Sequence, residues 1–265
     1  MRGILRMIPS SYGGANPFVF DSVNDLAFSV RKVNSAYIGN CMRIRRSSDN
    51  TELEIGFVGG ELDTSAISTF CGAGFGYVAK WYDQSGNTQD KLNTTAINQP
   101  VIYNNGFTLR NGKPYISASS TQWLYFPAVK VVTGDITFFM TYEKLSAGNV
   151  PMLLDGSNNY TWLDYGVSQV YSTSYANTIS PTFAINTLYL HNGITLSNNV
   201  KTFQNNTLVG ERVGVRTGGS FLRMLPSGLF RTPTVLFSEF IFYKSDKTAT
   251  AIDMRNDINN YYSIF

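Results

Sequence analysis

Apolar and polar residues alternate in short runs along much of this chain, which is the pattern of strands with one buried face. The clearest run covers residues 42–55, where apolar residues face each other on one side and opposite charges on the other, across a turn at 47–50. The predicted pairs are Met42 with Ile55, Ile44 with Leu53, Arg43 with Glu54 and Arg45 with Glu52. This pattern predicts a half-buried β-hairpin.

Short strands are predicted for most of the remaining chain as well. The predicted strands are 75–81, 100–103, 113–117, 122–126, 135–142, 152–154, 160–165, 182–191, 200–203, 207–209, 211–215, 220–223 and 235–243. Turn dipeptides such as Asn111-Gly112, Asn192-Gly193 and Asn205-Asn206 separate them. Many short strands with regular turns indicate a β-sandwich or barrel.

Three segments show helical spacing of their apolar residues. Residues 21–33 are predicted to form a helix, with Asp21 or Ser22 as the cap. A shorter helix is predicted at 64–70, capped by Asp63 and ended by Gly72. The last is predicted between residues 246 and 262, with a face formed by Ala251, Ile252, Arg255, Ile258, Tyr261 and Tyr262.

Composition favours a single β-rich domain. The 265 residues include 16 Tyr and 18 Phe but only 15% charged residues, and the net charge is +3. This balance suits strands, and it offers no basic cluster of the kind that binds nucleic acid. No run approaches the roughly 20 apolar residues of a membrane span. Residues 1–9 do not resemble a signal peptide, because Arg6 interrupts their apolar run.

Several motifs together resemble the N-terminal part of the catalytic domain of α-L-arabinofuranosidase B, glycoside hydrolase family 54. They are LAFSVRK at 26–32, RIRRSSDN at 43–50, IGF at 55–57, LDT at 62–64, TFC at 69–71 and WYDQSGN at 81–87. Similar modules lie in bacteriophage tail and bacterial surface proteins. The resemblance implies a concanavalin A-like (jelly-roll) antiparallel β-sandwich over residues 21–265, with short N-terminal helices and a C-terminal helix. Residues 1–20, which include Pro9, Gly13, Gly14 and Pro17, are then predicted to form an N-terminal arm.

The catalytic motifs of that family are not matched. The resemblance implies two carboxylates, near a Gly-Gly-Asp-Asn loop and a Met-Glu strand, beside a vicinal cysteine pair. In this chain Gly218-Gly219 precedes Ser220-Phe221, and no cysteine follows Cys71. The acidic candidates Glu143, Asp155, Asp164 and Glu239 stand in other contexts. We therefore predict no catalytic residue and a non-enzymatic protein. The single histidine, His191, is interpreted as a turn-flanking residue rather than part of a Ser-His-Asp site.

Aromatic rings among amides suggest where a glycan could bind, because rings stack on sugars and amides bond their hydroxyl groups. The candidates are Trp81, Tyr82, Asp83, Gln84, Asn87, Tyr160, Trp162, Tyr171 and Tyr175. For the first five a structural role in a tight turn is favoured over sugar binding. Asp83 and Asp90 are also weighed as Ca²⁺ ligands, but the scarcity of carboxylates favours no metal and no cofactor. Cys41 and Cys71 are interpreted as buried reduced thiols.

The leading hypothesis is a bacteriophage virion protein, either a head fibre, a capsid decoration or a tail-associated module. A sandwich without an export signal fits a particle that is assembled in the host cytoplasm. Its expected partners are other virion proteins, further copies of itself and a host surface glycan, with no nucleic acid and no membrane insertion. The alternatives are a glycoside hydrolase of the α-L-arabinofuranosidase type and a bacterial surface carbohydrate-binding module.

Overall fold

The computed structural model describes residues 16–119, 121–132, 134–147, 150–154, 160–165, 169–172, 178–179, 184–197, 199–213, 219–224 and 234–265. These residues form mostly β-structure. The strands are β1 Leu26–Ser29, β2 Met42–Arg46, β3 Glu52–Ile55, β4 Phe57–Val58, β5 Glu61–Leu62, β6 Phe75–Trp81, β7 Lys91–Leu92, β8 Val101–Asn104, β9 Thr108–Arg110, β10 Lys113–Ala118, β11 Leu124–Val132, β12 Ile136–Lys144, β13 Val150–Leu154, β14 Tyr160–Tyr165, β15 Gln169–Ser172, β16 Thr178–Ile179, β17 Leu188–Thr195, β18 Asn199–Gln204, β19 Thr207–Val213, β20 Gly219–Met224 and β21 Val235–Tyr243. The helices are α1 Thr64–Cys71 and α2 Ala251–Tyr262, with a 3₁₀ turn at Ala96–Asn98.

Strand β21 lies at the centre of one layer of the sheet. Its whole length pairs antiparallel with β12, and its other edge pairs first with β10 and then with β1. Strands β17, β18 and β19 follow β12 in succession. All nine residues of β21 are buried, as are all nine of β12. This part of the sheet is therefore covered on both faces.

A second run of strands continues from β3 through β2 to β6, and β6 also pairs with β7 and β8. From β7 the order is β11, β20, β13, β14, β15 and β16, with every pairing antiparallel. Trp81 of β6 packs against Phe28 of β1 and Phe237 of β21, with ring centroids 5.7 Å apart in both pairs. The aromatic core thus joins the two runs, and the predicted β-sandwich class is confirmed.

The hairpin β2–β3 has the predicted register, with Met42 opposite Ile55 and the other three pairs as expected. Its charges are arranged differently on one side. Arg43 forms ion pairs with both Glu52 and Glu54, at 3.6 and 2.6 Å. The Arg45 guanidinium turns away from Glu52 and donates to Gln99, Asn50 and the carbonyl of Ala96. Register alone fixes which residues are opposite, but not where a long side chain ends.

The predicted helix at 21–33 is wrong, since this segment contains strand β1 instead. A short apolar run with helical spacing can equally be a strand buried on both faces, and here all four residues of β1 are buried. Asp25, close to the predicted cap, accepts hydrogen bonds from the backbone of Asp21 and Ser22 before the strand and of Lys244 beyond β21. The carboxylate fixes a bend where the chain enters the sheet.

The other two predicted helices are confirmed as α1 and α2. No helix among the described residues is long and apolar enough to cross a membrane.

The predicted turn at Asn192-Gly193 is wrong, because both residues lie inside β17. The Asn192 side chain is buried and donates to the carbonyl of Phe138, which satisfies it within the sheet. The turn at Asn205-Asn206 lies where predicted, between β18 and β19, and Asn205 has a positive φ of 57°.

The described end of the predicted arm packs on the sandwich. Phe18 is buried in the core, and Phe20 stacks on Tyr243 of β21 with ring centroids 5.4 Å apart. Asn16 donates to the carbonyl of Val33 at 2.8 Å. Residues 16–20 therefore contact the domain, whereas residues 1–15 of the predicted arm lie outside the described residues.

The cap of α1 offers a direct test of the local sequence signals. The Asp63 carboxylate accepts from the backbone of Ala66 at 2.9 Å. We expect Asp63→Ala to lower the free energy of unfolding by about 1 kcal/mol, because a backbone N–H at the helix start loses its acceptor. The matched variant Asp63→Asn keeps an acceptor and should retain most of that stability. Urea unfolding of both variants measures the difference, and equal losses would contradict the capping role.

Candidate functional site

The segment 81–87 carries a group of polar side chains, and Asp83 lies at its centre. One Asp83 carboxylate oxygen accepts from the backbone of Ala27 and Ser85, at 2.9 and 3.0 Å. The other accepts from the hydroxyl of Ser85 and the backbone of Gln89, at 2.8 and 3.1 Å. Burial raises the pKa of Asp83, while these hydrogen bonds act in the opposite direction. Four donors around one buried carboxylate indicate an architectural role.

Gln84 and Asn87 bind the backbone of the N-terminal segment in the same way. The Gln84 amide accepts from Val33 and donates to the carbonyls of Ser29 and Arg31, at 2.9 to 3.0 Å. The Asn87 amide donates to the carbonyls of Ser22 and Asp25, at 2.7 and 2.9 Å. These contacts fix the residues before and after β1 to the loop that follows β6.

This arrangement decides how the candidates of segment 81–87 can be used. Trp81, Asp83 and Gln84 are 0 to 2% exposed, so these three side chains offer almost no surface that a glycan could contact. Tyr82 is half-buried, and its hydroxyl donates to Glu54 at 2.8 Å while the ammonium of Lys80 lies 4.3 Å from its ring centroid. Asn87, also half-buried, uses its amide donors on backbone.

The Ca²⁺ site considered at Asp83 and Asp90 has the same problem, because the carboxylate oxygens already have other partners. The oxygens of Asp83 are used by four donors, and Asp90 accepts from the backbone of Asp83 and forms an ion pair with Lys80 at 2.8 Å. Among the residues that the structure describes, no group of three or more His, Cys, Asp or Glu side chains is placed to hold a metal ion. Cys41 and Cys71 are both buried and free.

Three of the remaining glycan candidates belong to strands β14 and β15, and the fourth, Tyr175, lies outside the described residues. Trp162 and Asp164 are alternate residues of β14 in regular register with β15, so they share one face of the strand. The register with β13 shifts between Trp162 and Tyr160, so alternation does not carry Tyr160 onto that face. Tyr171 of β15 stands opposite Leu163, which places it on the other face. The backbone thus brings Trp162 onto one face with a carboxylate residue.

Of the acidic candidates for catalysis, Glu239 is the most enclosed. Its side chain is fully buried and forms a two-point contact with the Arg31 guanidinium, at 2.9 and 3.1 Å. The hydroxyl of Ser29 also donates to it at 2.6 Å. Arg31 in turn contacts Asp257 of α2 at 2.7 Å, so the carboxylate is part of the junction between β1, β21 and α2.

Glu143 of β12 has the same kind of partner. Its side chain is 3% exposed, and the Arg110 guanidinium of β9 donates to both of its oxygens, at 2.5 and 3.1 Å. A carboxylate held at two points by an arginine has both of its oxygens occupied. Neither Glu143 nor Glu239 is therefore an open acid or nucleophile. Asp155 lies outside the described residues, and Asp164 is described here only by its place in β14.

The sequence reasoning missed Lys91, which is fully buried in the core. Its ammonium nitrogen lies 3.8, 4.8 and 4.6 Å from the ring centroids of Phe28, Phe126 and Phe240. Burial lowers the pKa of Lys91 well below its ordinary value, and the charge of Asp83 opposes that shift. The local sequence does not predict this burial, because Lys91 directly follows the polar run 82–90.

His191 is not the turn-flanking residue that was predicted. It lies within β17, fully buried, opposite Met140 and Gln204 in the neighbouring strands, with its ring edge-on to Phe138 at 5.2 Å between centroids. Burial lowers the pKa of His191 to about 3. The imidazole is thus part of the core and is not open to a substrate.

Comparison with known proteins identifies the fold. A family model described as the catalytic domain of α-L-arabinofuranosidase B matches residues 25–120. The structure is similar to a glycoside hydrolase family 54 α-L-arabinofuranosidase soaked with a cyclic sulfate inhibitor, with a TM-score of 0.63 and 15% identity. It is also similar to a glutamate-to-glutamine mutant of such an enzyme soaked with 4-nitrophenyl α-L-arabinofuranoside, and to an arabinofuranosidase complexed with arabinofuranosyl-α-1,2-xylobiose, with TM-scores of 0.65 and 0.61 and 15% identity each.

These matches cover 87% of this chain and 61% of each arabinofuranosidase, so the chain spans less than two thirds of their length. No curated protein matches the chain. The fold is that of the catalytic domain of family 54 arabinofuranosidases, which confirms the resemblance and the concanavalin-like sandwich. The relatives in fold are glycosidases.

The comparisons overturn the leading functional hypothesis. The family model and the three similar structures are those of arabinofuranosidases, and nothing among them indicates a bacteriophage head fibre, capsid decoration or tail protein. The expected virion location has no support either. The predicted partners stay predictions.

The architectural role of Glu239 can be tested by comparing its buried contact to Arg31 with the exposed contact between Glu54 and Arg43. We expect Glu239→Gln to lower the free energy of unfolding by about 3 kcal/mol, because it leaves a largely buried guanidinium with less compensating charge. The matched control is Glu54→Gln, which breaks an exposed contact to Arg43 and should cost less than about 1 kcal/mol. Urea unfolding compares the two, and similar losses would show that burial does not set the cost.

His191 makes stability depend on pH in a predictable direction. The unfolded chain binds a proton near the ordinary histidine pKa of 6.5, whereas the folded protein binds it only near 3, so stability is lost as the pH falls below about 6.5. Between pH 7 and pH 4 this amounts to about 3 kcal/mol. His191→Leu should remove that part of the pH dependence, as measured by urea unfolding at both pH values. An unchanged pH dependence would contradict the buried neutral imidazole.

Proposed function

We propose that this chain is a glycan-acting domain of the α-L-arabinofuranosidase type, a glycoside hydrolase directed at arabinofuranosyl groups. The main support is the arabinofuranosidase fold over 87% of the chain together with the family match at residues 25–120. The similar proteins were studied with an arabinofuranoside and with an arabinofuranosyl-xylobiose, so a furanosyl group is the first substrate class to test.

The face of β14 that includes Trp162 and Asp164 is the surface we assign to the sugar. An aromatic residue and a carboxylate residue on one face of a strand supply a stacking surface and one of the two carboxyl groups that hydrolysis requires. Strand β14 pairs with β13 and β15 on its two edges, so it lies inside the sheet at this position. Glu143 and Glu239 are excluded from the role, because both are held by arginines.

A second function, glycan binding without cleavage, is favoured by one observation. Hydrolysis requires two carboxyl groups about 5 to 9 Å apart that are free to exchange protons. The buried carboxylates whose side chains the structure describes are held by arginines or by backbone amides, as at Glu143, Glu239, Asp83 and Asp25. A domain with the arabinofuranosidase fold whose acids are held in this way would recognise the sugar and leave it intact.

The test is turnover of 4-nitrophenyl α-L-arabinofuranoside by the full chain. We expect release of nitrophenolate by the wild-type protein and a fall of about 100-fold or more in Asp164→Asn, because a general acid or base loses its proton chemistry. Asp253→Asn changes an exposed acid of α2 in the same way and should retain full activity.

Binding is measured in parallel with arabinofuranosyl oligosaccharides by titration calorimetry. Trp162→Ala should weaken binding while its unfolding midpoint stays close to that of the wild type. Binding without turnover would identify a carbohydrate-binding domain instead of a hydrolase. Absence of both turnover and binding would end the proposal.

A further inference from the structure

Arg255 on α2 is a largely buried cation without a carboxylate partner among the described residues. It is 6% exposed, and its contacts are all with neutral groups. Its Nε donates to Oδ1 of Asn206 at 2.9 Å and its Nη1 donates to Oδ1 of Asn192 at 2.7 Å. The guanidinium carbon lies 4.2 Å from the ring centroid of Phe203. Buried charges in proteins are normally paired, so this arrangement requires an explanation.

Two other arginines of the described structure that are wholly or partly enclosed have carboxylate partners. Arg31 contacts Glu239 and Asp257, and Arg110 contacts Glu143. Arg45 also has only neutral partners, but all three of its guanidinium nitrogens donate hydrogen bonds, to Gln99, Asn50 and the carbonyl of Ala96. Arg45 is therefore satisfied by its own surroundings.

Arg255 differs from Arg45 at Nη2. This nitrogen donates to no group in the described part of the chain, and it is not fully buried. It therefore reaches the surface, although the residue as a whole is buried. Burial lowers the pKa of Arg255 below its ordinary value.

The surroundings of Arg255 are rigid and hold the guanidinium in one orientation. Asn192 is fixed in β17 by its own bond to the carbonyl of Phe138 at 2.9 Å. Asn206 is fixed in the β18–β19 turn and donates to Asn256 of α2 at 2.9 Å. A guanidinium fixed at Nε and Nη1, stacked on a ring and open at Nη2 presents a preorganised donor to an anion.

We propose that the surface formed by Arg255, Asn206 and Phe203 binds a small oxyanion at the open edge of the guanidinium. The expected ligand group is a carboxylate or a phosphate. One of its oxygens accepts a hydrogen bond from Nη2, and its negative charge pairs with the guanidinium. A uronic acid of a glycan and free inorganic phosphate are the two sources to be distinguished. The site lies where β17, the β18–β19 turn and α2 meet, and it does not depend on the sugar-cleaving role proposed for β14.

The experiment is thermal unfolding of the full chain with millimolar sodium phosphate or sodium glucuronate, at an ionic strength held constant with sodium chloride. At about ten times the dissociation constant, a bound anion should raise the midpoint by about 3 to 5 °C. Arg255→Gln should lose this rise. Arg43→Gln removes an exposed arginine and should keep it, which controls for general salt effects on the protein surface.

Each outcome decides the proposal. A rise with phosphate, glucuronate or both that disappears in Arg255→Gln supports the site, and the more effective anion identifies the source. If Arg255→Gln does not fold, calorimetric titration of the wild type and of Asn206→Ala replaces it, and weaker binding by Asn206→Ala is expected. Absence of any anion effect beyond chloride, or an effect that persists in Arg255→Gln, would overturn the proposal.

Discussion

The sandwich depends on side chains that replace a missing strand partner beside β1. This strand pairs with β21 along one edge only, and its other edge would leave buried backbone groups unsatisfied. The loop after β6 fills that gap: the Asp83 carboxylate accepts from Ala27, the backbone of Gln84 donates to the carbonyl of Ala27, and the Gln84 amide bonds the backbone of Ser29, Arg31 and Val33. Because the two segments are more than 50 residues apart, these bonds close the two halves of the sandwich around Trp81 and Phe28.

The sequence was informative where one face of an element is exposed to solvent. The register of β2–β3, the bounds of β6 and the cap of α1 all follow from local patterns. Strand β21 is buried on both faces, and its long run of apolar and aromatic residues still predicts its bounds. The prediction failed at β1 and inside β17, where burial on both faces removes the alternation that distinguishes a strand from a helix or a turn. Strand β1 was predicted as a helix and the Asn192-Gly193 pair as a turn for that reason, and tertiary bonds such as that from Asn192 to Phe138 decide the outcome.

The candidate site was less predictable than the fold, because the same residue types serve both sugar binding and architecture. An aromatic residue beside Asp, Gln and Asn suits a glycan, and the identical set also suits a loop that must bond backbone. Only the three-dimensional contacts separate the two uses, by showing that Asp83 and Gln84 face backbone donors. The arginine partners of Glu143 and Glu239 are distant from them in sequence, so no local spacing predicts these contacts.

How the chain compensates its buried charges also limits where chemistry can occur. An acid that takes part in hydrolysis must gain and lose a proton, and a two-point contact with an arginine occupies both oxygens of a carboxylate. The buried glutamates of β12 and β21 are both held in this way. Under the proposed function, the sugar must meet the opposite layer, where Trp162 and Asp164 share one face of β14. The same reasoning singles out Arg255. Arg31 and Arg110 have carboxylate partners, whereas Arg255 has neutral partners and one guanidinium nitrogen without an acceptor in the described residues. A partner from outside the chain would supply that acceptor.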